Sequence, residues 1–127
     1  MQAFAKDLTV TLQDDRPGVL ARVFEAIYSA HVNVDGYAEV AGTLHVLTRN
    51  AAAVRQAIAT AGLSTQDERD VLVLDVADRP GVAAVVFRRI ADAGINVHFS
   101  YVGTNNRLVI GSDDTRKIAA LGLGGVV

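Results

Sequence analysis

The sequence predicts an α+β protein made of two βαββαβ units, each an antiparallel sheet with its helices on one face. Three observations carry this. The segment Asp15-Arg16-Pro17-Gly18-Val19 returns 63 residues later as Asp78-Arg79-Pro80-Gly81-Val82. Set without a gap, residues 8–34 and 71–97 are identical at 13 of 27 positions, so the chain is an internal duplication. Within each copy the hydrophobic period switches between 2 and 3.6, the mark of strands alternating with amphipathic helices. The order of those segments is that of a split βαβ layer. The predicted modules are 1–67 and 68–127, the second shortened at its C-terminal end.

In the first copy, residues 8–13 alternate apolar and polar and read as a half-buried strand. Asp14 and Asp15 end it. Asp15 is a candidate helix cap, and Pro17 stands where a first helical turn tolerates a missing N–H. Leu20, Val23, Phe24 and Ile27 then recur at helical spacing. Residues 32–40 read as a strand, Ala41-Gly42 as a turn and 43–49 as the return strand. The alanine-rich stretch 51–61 is a helix stopped by Gly62. A short strand at 63–67 completes the first unit.

The second copy repeats this order: a strand at 71–76, a helix over Pro80–Ala93 stopped by Gly94, a strand at 95–102, a hairpin loop at 103–106, a strand at 107–111 and a shorter helix at 114–121. Residues 122–127 leave little for a final strand. Val71-Leu72-Val73-Leu74 is apolar on both faces, and such strands are covered on both sides. Its second face therefore needs a partner, either the first copy or another subunit.

Composition narrows the function. The net charge is −2 with no basic cluster, which argues against nucleic acid. The chain has no cysteine, which excludes disulfides, thiolate metal sites and cysteine nucleophiles. The start lacks the basic and apolar regions of a signal peptide, and no apolar run reaches a membrane span, so a cytoplasmic protein is expected. Half of the residues are hydrophobic and mean hydropathy is +0.27, which favours burial between subunits and a homodimer or higher homo-oligomer.

The doubled turn is where chemistry can sit. Helix N-termini present unpaired N–H groups and about half a positive charge, which suits carboxylates and phosphates. Gly18 and Gly81 let a ligand approach the backbone. Asn33 and Asn96 open the following strands, and an Asn both donates and accepts. That combination suits a zwitterion. The alternative reading leaves Asp15 and Asp78 as helix caps, Pro and Gly as turn formers, and Asn33 and Asn96 as residues that tolerate tight turns.

Asp-Arg-Pro-Gly-Val after a hydrophobic strand, then an amphipathic helix, then Val-Asn-Val or Ile-Asn-Val, resembles the ACT domain, a ferredoxin-like βαββαβ ligand-binding module. The resemblance covers roughly 7–67 and 70–121. It implies side-by-side pairing of modules, a free amino acid held at the seam and a regulated enzyme as partner. The serine-sensing modules of phosphoglycerate dehydrogenases use the positions of Gln13, Asp15 and Asn33 here, and of Val76, Asp78 and Asn96 in the second copy. Those sensors carry His and Asn at the first two positions, and both copies depart from that. Val76 offers no polar group, so the first copy is the better equipped. Other ACT modules hold the ligand by turn backbone, which implicates Arg16, Gly18, Val19 and Leu20, and Gly81, Val82 and Ala83.

Catalytic readings fare poorly. His31, His45 and His98 are scattered and lack metal-ligand spacing. No nucleophile elbow, zinc-protease motif or phosphate loop occurs. Asp113-Asp114 reads as a helix cap. An acylphosphatase-like use of Arg16 or Arg79 lacks its glycine-rich loop, and Phe99 and Tyr101 alone do not make an RNA-reading sheet. The expectation is a stand-alone regulatory protein, not an enzyme, with no cofactor or metal, that binds a small amino acid or related metabolite. The alternative is an assembly module without ligand, and a small enzyme ranks last.

Overall fold

Ten residues at the start of the chain form the first strand, β1 (Gln2–Thr11), in a computed structural model that describes residues 2–12 and 16–125. Gln13, Asp14 and Asp15 lie outside the described residues. The elements that follow are α1 (Val19–Ser29), β2 (Gly36–Val40), β3 (Thr43–Thr48), α2 (Ala51–Thr60), β4 (Thr65–Asp75), α3 (Val82–Asp92), β5 (Phe99–Gly103), β6 (Arg107–Gly111) and α4 (Thr115–Ala120). The chain divides into two units, Lys6–Arg69 and Met1–Ala5 with Asp70–Val127. By residue range, β1 and β4 each contribute to both.

In the unit Lys6–Arg69 the strand order is β2-β3-β1-β4. The antiparallel register sets Leu8 opposite Val46 and Val10 opposite Leu44. These four side chains are fully buried. Above them α1 lays down Val19, Val23 and Ile27, one per helical turn, and α2 lays down Val54, Ala57 and Ile58. Each fully buried Leu, Ile or Val contributes roughly 1.5–3 kcal/mol relative to leaving it in water. Asn50 starts α2, its side chain accepting the Ala53 N–H at 3.3 Å.

In the other unit the order is β1-β4-β6-β5. Leu72 pairs with Ile110 and Leu74 with Leu108. Val86 and Ile90 of α3, Ile118 of α4 and Leu123 complete this core. The strand missing from the C-terminal tail is supplied by the opposite end of the chain, the part of β1 up to Ala5. Gln2 Nε2 donates to the Ala119 carbonyl at 3.0 Å, and the Arg116 guanidinium lies 6.0 Å from the centre of the Phe4 ring.

Several expectations change. Residues 63–67 and 71–76 are not two strands joined by a linker but parts of one eleven-residue strand, β4. Its polar centre is held by ion pairs, Arg55 to Glu68 at 2.8 Å and Arg69 to Asp67 at 2.6 Å. The helices begin later than an aspartate cap requires. α1 and α3 start after Gly18 and Gly81, both left-handed, and neither has a side-chain cap. Asp114 is the N-cap residue of α4 but makes no side-chain cap bond, and its own N–H goes to Ser112 Oγ at 3.1 Å. The strands expected at 32–40 and 95–102 begin only at Gly36 and Phe99. Val71 is fully buried and Val73 is 8% exposed, so both faces of that stretch are covered within one chain. Its composition therefore does not by itself require a second subunit.

Candidate ligand-binding site

Each unit places its Pro-Gly turn at the start of a helix. Gly18 has φ 95° and Gly81 has φ 91°, values that L side chains rarely adopt. A Cβ on either would meet nothing within 4 Å. The backbone conformation therefore demands glycine, although there is room at both positions for a side chain. The first helical bonds run from Arg22 N to Gly18 O and from Val85 N to Gly81 O, both at 3.0 Å. The N–H groups of the residues just after each glycine have no partner within their helix and face the turn. Val19 and Val82 are buried and anchor the helix starts. Leu20 is half-buried, whereas its counterpart Ala83 is exposed, as are Arg16, Asp78 and Arg79. Gln13 and Asp15, the remaining candidates of the first turn, are outside the described residues.

A hairpin tip is fastened beside each turn. Leu12 N donates to Gly42 O at 2.7 Å, and Val76 N donates to Asn106 O at 3.2 Å. The tips differ: Ala41 and Gly42 in one unit, Asn105 and Asn106 in the other, all four at positive φ. The exposed amides of Asn105 and Asn106 thus flank the turn whose Val76 offers nothing polar. The sequence places a loop at 103–106, but no signal in it brings that loop to residue 76.

Asn33 and Asn96 stand elsewhere in their units. Each follows the C-terminal end of an eleven-residue helix whose N-terminus carries the turn. A helix of that length spans about 16 Å. One unit therefore does not bring its own turn and its own asparagine together. Asn33 Nδ2 donates to Asp35 Oδ1 at 3.3 Å, and Arg49 lies 3.9 Å from the same carboxylate. At the matching places of the other unit, Asn96 Nδ2 lies 3.4 Å from His98 Nδ1, and His98 Nε2 lies 2.9 Å from Asp113 Oδ2.

Two features escaped the sequence. Asp7 is fully buried in β1, where Thr9 Oγ1 donates to it at 2.9 Å and His45 Nδ1 lies 3.2 Å from each of its oxygens. An open apolar surface runs along α3, lined by Ala84, Val85, Phe87, Arg88, Arg89 and Ala91. It shares no residue with either turn or with Asn96. Among the described residues no group of acidic, His or Cys side chains is placed to hold a metal, and no helix is long and apolar enough to cross a membrane.

The regulatory subunit of aspartate kinase from Thermus thermophilus, solved ligand-free, superposes with a TM-score of 0.68 at 20% identity, over 98% of this chain and 95% of that one. The fold is that of an aspartate kinase regulatory subunit. A structure of aspartokinase alpha and beta subunits matches with a TM-score of 0.67 at 20% identity, covering 94% and 93% of the two chains. Aspartokinase III of E. coli, in complex with lysine and aspartate, matches with a TM-score of 0.63 at 15% identity, over 98% of this chain and 32% of that one. In sequence, the aspartokinase of Corynebacterium glutamicum is 39% identical over 61 residues. That match takes in 48% of this chain, which spans only 14% of the relative's length. No protein-family model matches the chain.

Proposed function

We propose that the chain is an ACT-type regulatory protein, without catalysis of its own, that binds a small amino acid. The observation that carries this is the repeated left-handed glycine, Gly18 and Gly81, each opening a helix N-terminus onto empty space. The ligand's carboxylate meets the N–H groups after the glycine, where the helix end favours negative charge. Its ammonium meets an asparagine. Turn and asparagine of one unit stand a helix length apart, so the complete site joins a turn of one chain to Asn33 or Asn96 of a second copy of the chain. The resemblance to aspartate kinase regulatory subunits supports a regulated enzyme as partner and makes lysine a natural first ligand to try.

The modules proposed are 1–67 and 68–127, a division that falls inside β4. Pairing into a homodimer in the cytoplasm completes the reading. Isothermal titration against the twenty amino acids tests it: heat and a thermal shift with one or a few is the expected result, and silence with all of them removes the proposal.

A second reading has its own observation. Tyr37 and Val40 on β2, and Val102 on β5, are 54%, 72% and 60% exposed on strands that end their sheets. An exposed edge with apolar side chains is a template for strand pairing. On this reading the module assembles without a ligand, and sedimentation of the ligand-free protein would give a mass above that of one chain.

A further inference from the structure

Asn33 and Asn96 are held by the side chain two residues on, and that holder differs in kind. Asp35 as a carboxylate only accepts hydrogen bonds. It takes the amide nitrogen of Asn33 at 3.3 Å, which leaves the Asn33 oxygen as the outward end. At the matching position His98 is amphoteric. Its Nε2 lies 2.9 Å from Asp113 Oδ2, so the ring proton sits on Nε2 and is donated to that carboxylate. Nδ1 is then a bare acceptor, 3.4 Å from Asn96 Nδ2.

The rest of Asn96 is fixed. Its carbonyl accepts from Ser112 Oγ at 2.7 Å, and His98 is tied by its own N–H to Gly111 O at 2.8 Å. Among the described residues, Asp113 is the titratable group in contact with the His98 ring. What remains free to turn is the Asn96 carboxamide, which is exposed.

We propose that His98 is a positioning residue that sets which end of the Asn96 amide faces outward, and so which ligand group this half-site accepts. With a neutral ring, Asn96 gives its nitrogen to Nδ1 and presents its oxygen, an acceptor suited to an ammonium. A protonated ring carries N–H on both nitrogens. Nδ1 then needs an acceptor, the amide turns, and the nitrogen faces outward, suited to a carboxylate. The half-site at Asn33 lacks this reversal. The inference rests on the proposed amino-acid site, but the coupling between the two side chains exists with or without a ligand.

Solution NMR of the full chain tests it, with long-range ¹H–¹⁵N correlation reading the His98 ring and the side-chain amide of Asn96 read directly. The expected result is the Nε2–H tautomer for the neutral ring, with the Asn96 amide resonances moving together with those of the His98 ring as the pH is lowered and the ring takes up its second proton. His98→Ala should abolish that movement, and Asp113→Ala should remove the tautomer preference, with the backbone spectrum otherwise retained in both. Methylammonium and acetate serve as probes. Methylammonium should move the Asn96 amide when the ring is neutral and acetate when it is protonated. A Nδ1–H tautomer for the neutral ring overturns the proposal. So does an Asn96 amide that ignores His98, or one that responds equally to both probes or to neither. None of these readings depends on the amino-acid titrations, so failure of the proposed function and failure of this coupling are separately visible.

Discussion

His31 stands at φ 57° in the place that Gly94 fills at φ 75°, directly after the C-cap residue of its helix. Left-handed backbone costs a residue with a Cβ about 1–2 kcal/mol, and glycine ends helices there without that cost. The His31 side chain is exposed, so no packing offsets the strain. His31→Gly should stabilise the protein by about 1 kcal/mol, and Gly94→His should destabilise it by a similar amount. Urea unfolding of both variants measures this directly.

Gly18→Ala and Gly81→Ala separate backbone strain from ligand contact. Neither new methyl group meets anything within 4 Å, so steric clash inside the protein is absent. Each variant should lose about 1–2 kcal/mol from the positive φ alone. If a ligand occupies the open space, binding weakens by about tenfold or more, since 1.4 kcal/mol is one decade. Titration calorimetry below the melting range checks the second effect. Unchanged affinity in both variants would place the ligand away from the turns.

Leu72 and Leu74 show where the sequence is legible and where it is not. The duplication, the helices and the two hairpins can all be read from periodicity and glycine placement. The continuity of β4 cannot, because Gln66 to Asp70 are all polar and look like a linker. Their strand is specified by backbone pairing and by Arg55–Glu68, a contact between residues thirteen apart. The pairing of Gln2–Ala5 with the far end of the chain is equally invisible to local pattern. Val71–Leu74 reads as a strand that needs a partner over its second face. The structure buries Leu72 fully in the core beneath α3 and α4. Leu72→Asp is expected to unfold the protein, and Leu72→Ala to cost about 2–5 kcal/mol. Val40→Lys and Val102→Lys, on exposed edge positions, are the variants that should change sedimentation while leaving the melting temperature nearly unchanged.

The Asp67 carboxyl is held below the usual carboxylate range, first by hydrogen bonding from Arg69 and then by its charge. Arg69 Nη2 and Nε reach the same oxygen at 2.6 and 3.1 Å. A lowered folded-state pKa means the stabilisation is present at neutral pH and disappears as the pH falls below about 4 through the folded value. The pair is largely solvent-exposed, so its contribution is small. Asp67→Asn should reduce stability slightly at pH 7 and leave it nearly unaltered at the acid end of the range, where Asp67 itself is protonated. Denaturation midpoints across the acid limb would show that convergence.

Gly111 is pinned by an aromatic ring. It pairs with Phe99 across β5 and β6, and a Cβ added to Gly111 would lie 2.3 Å from Phe99 Cζ. Glycine is required here by a close approach and not by its own φ. The Phe99 ring stacks with Tyr101 at 6.2 Å and an interplanar angle of 11°, so it cannot yield to a new methyl group without losing that contact, worth about 0.5–1.5 kcal/mol. Gly111→Ala should therefore destabilise by about 1–3 kcal/mol, the usual cost of overpacking. Phe99→Ala should also destabilise. In the double variant the clash is gone, so the two losses should fall short of additive by about 1 kcal/mol or more, as expected for residues in contact. Additive losses would mean that Phe99 does not occupy the space above Gly111 in solution.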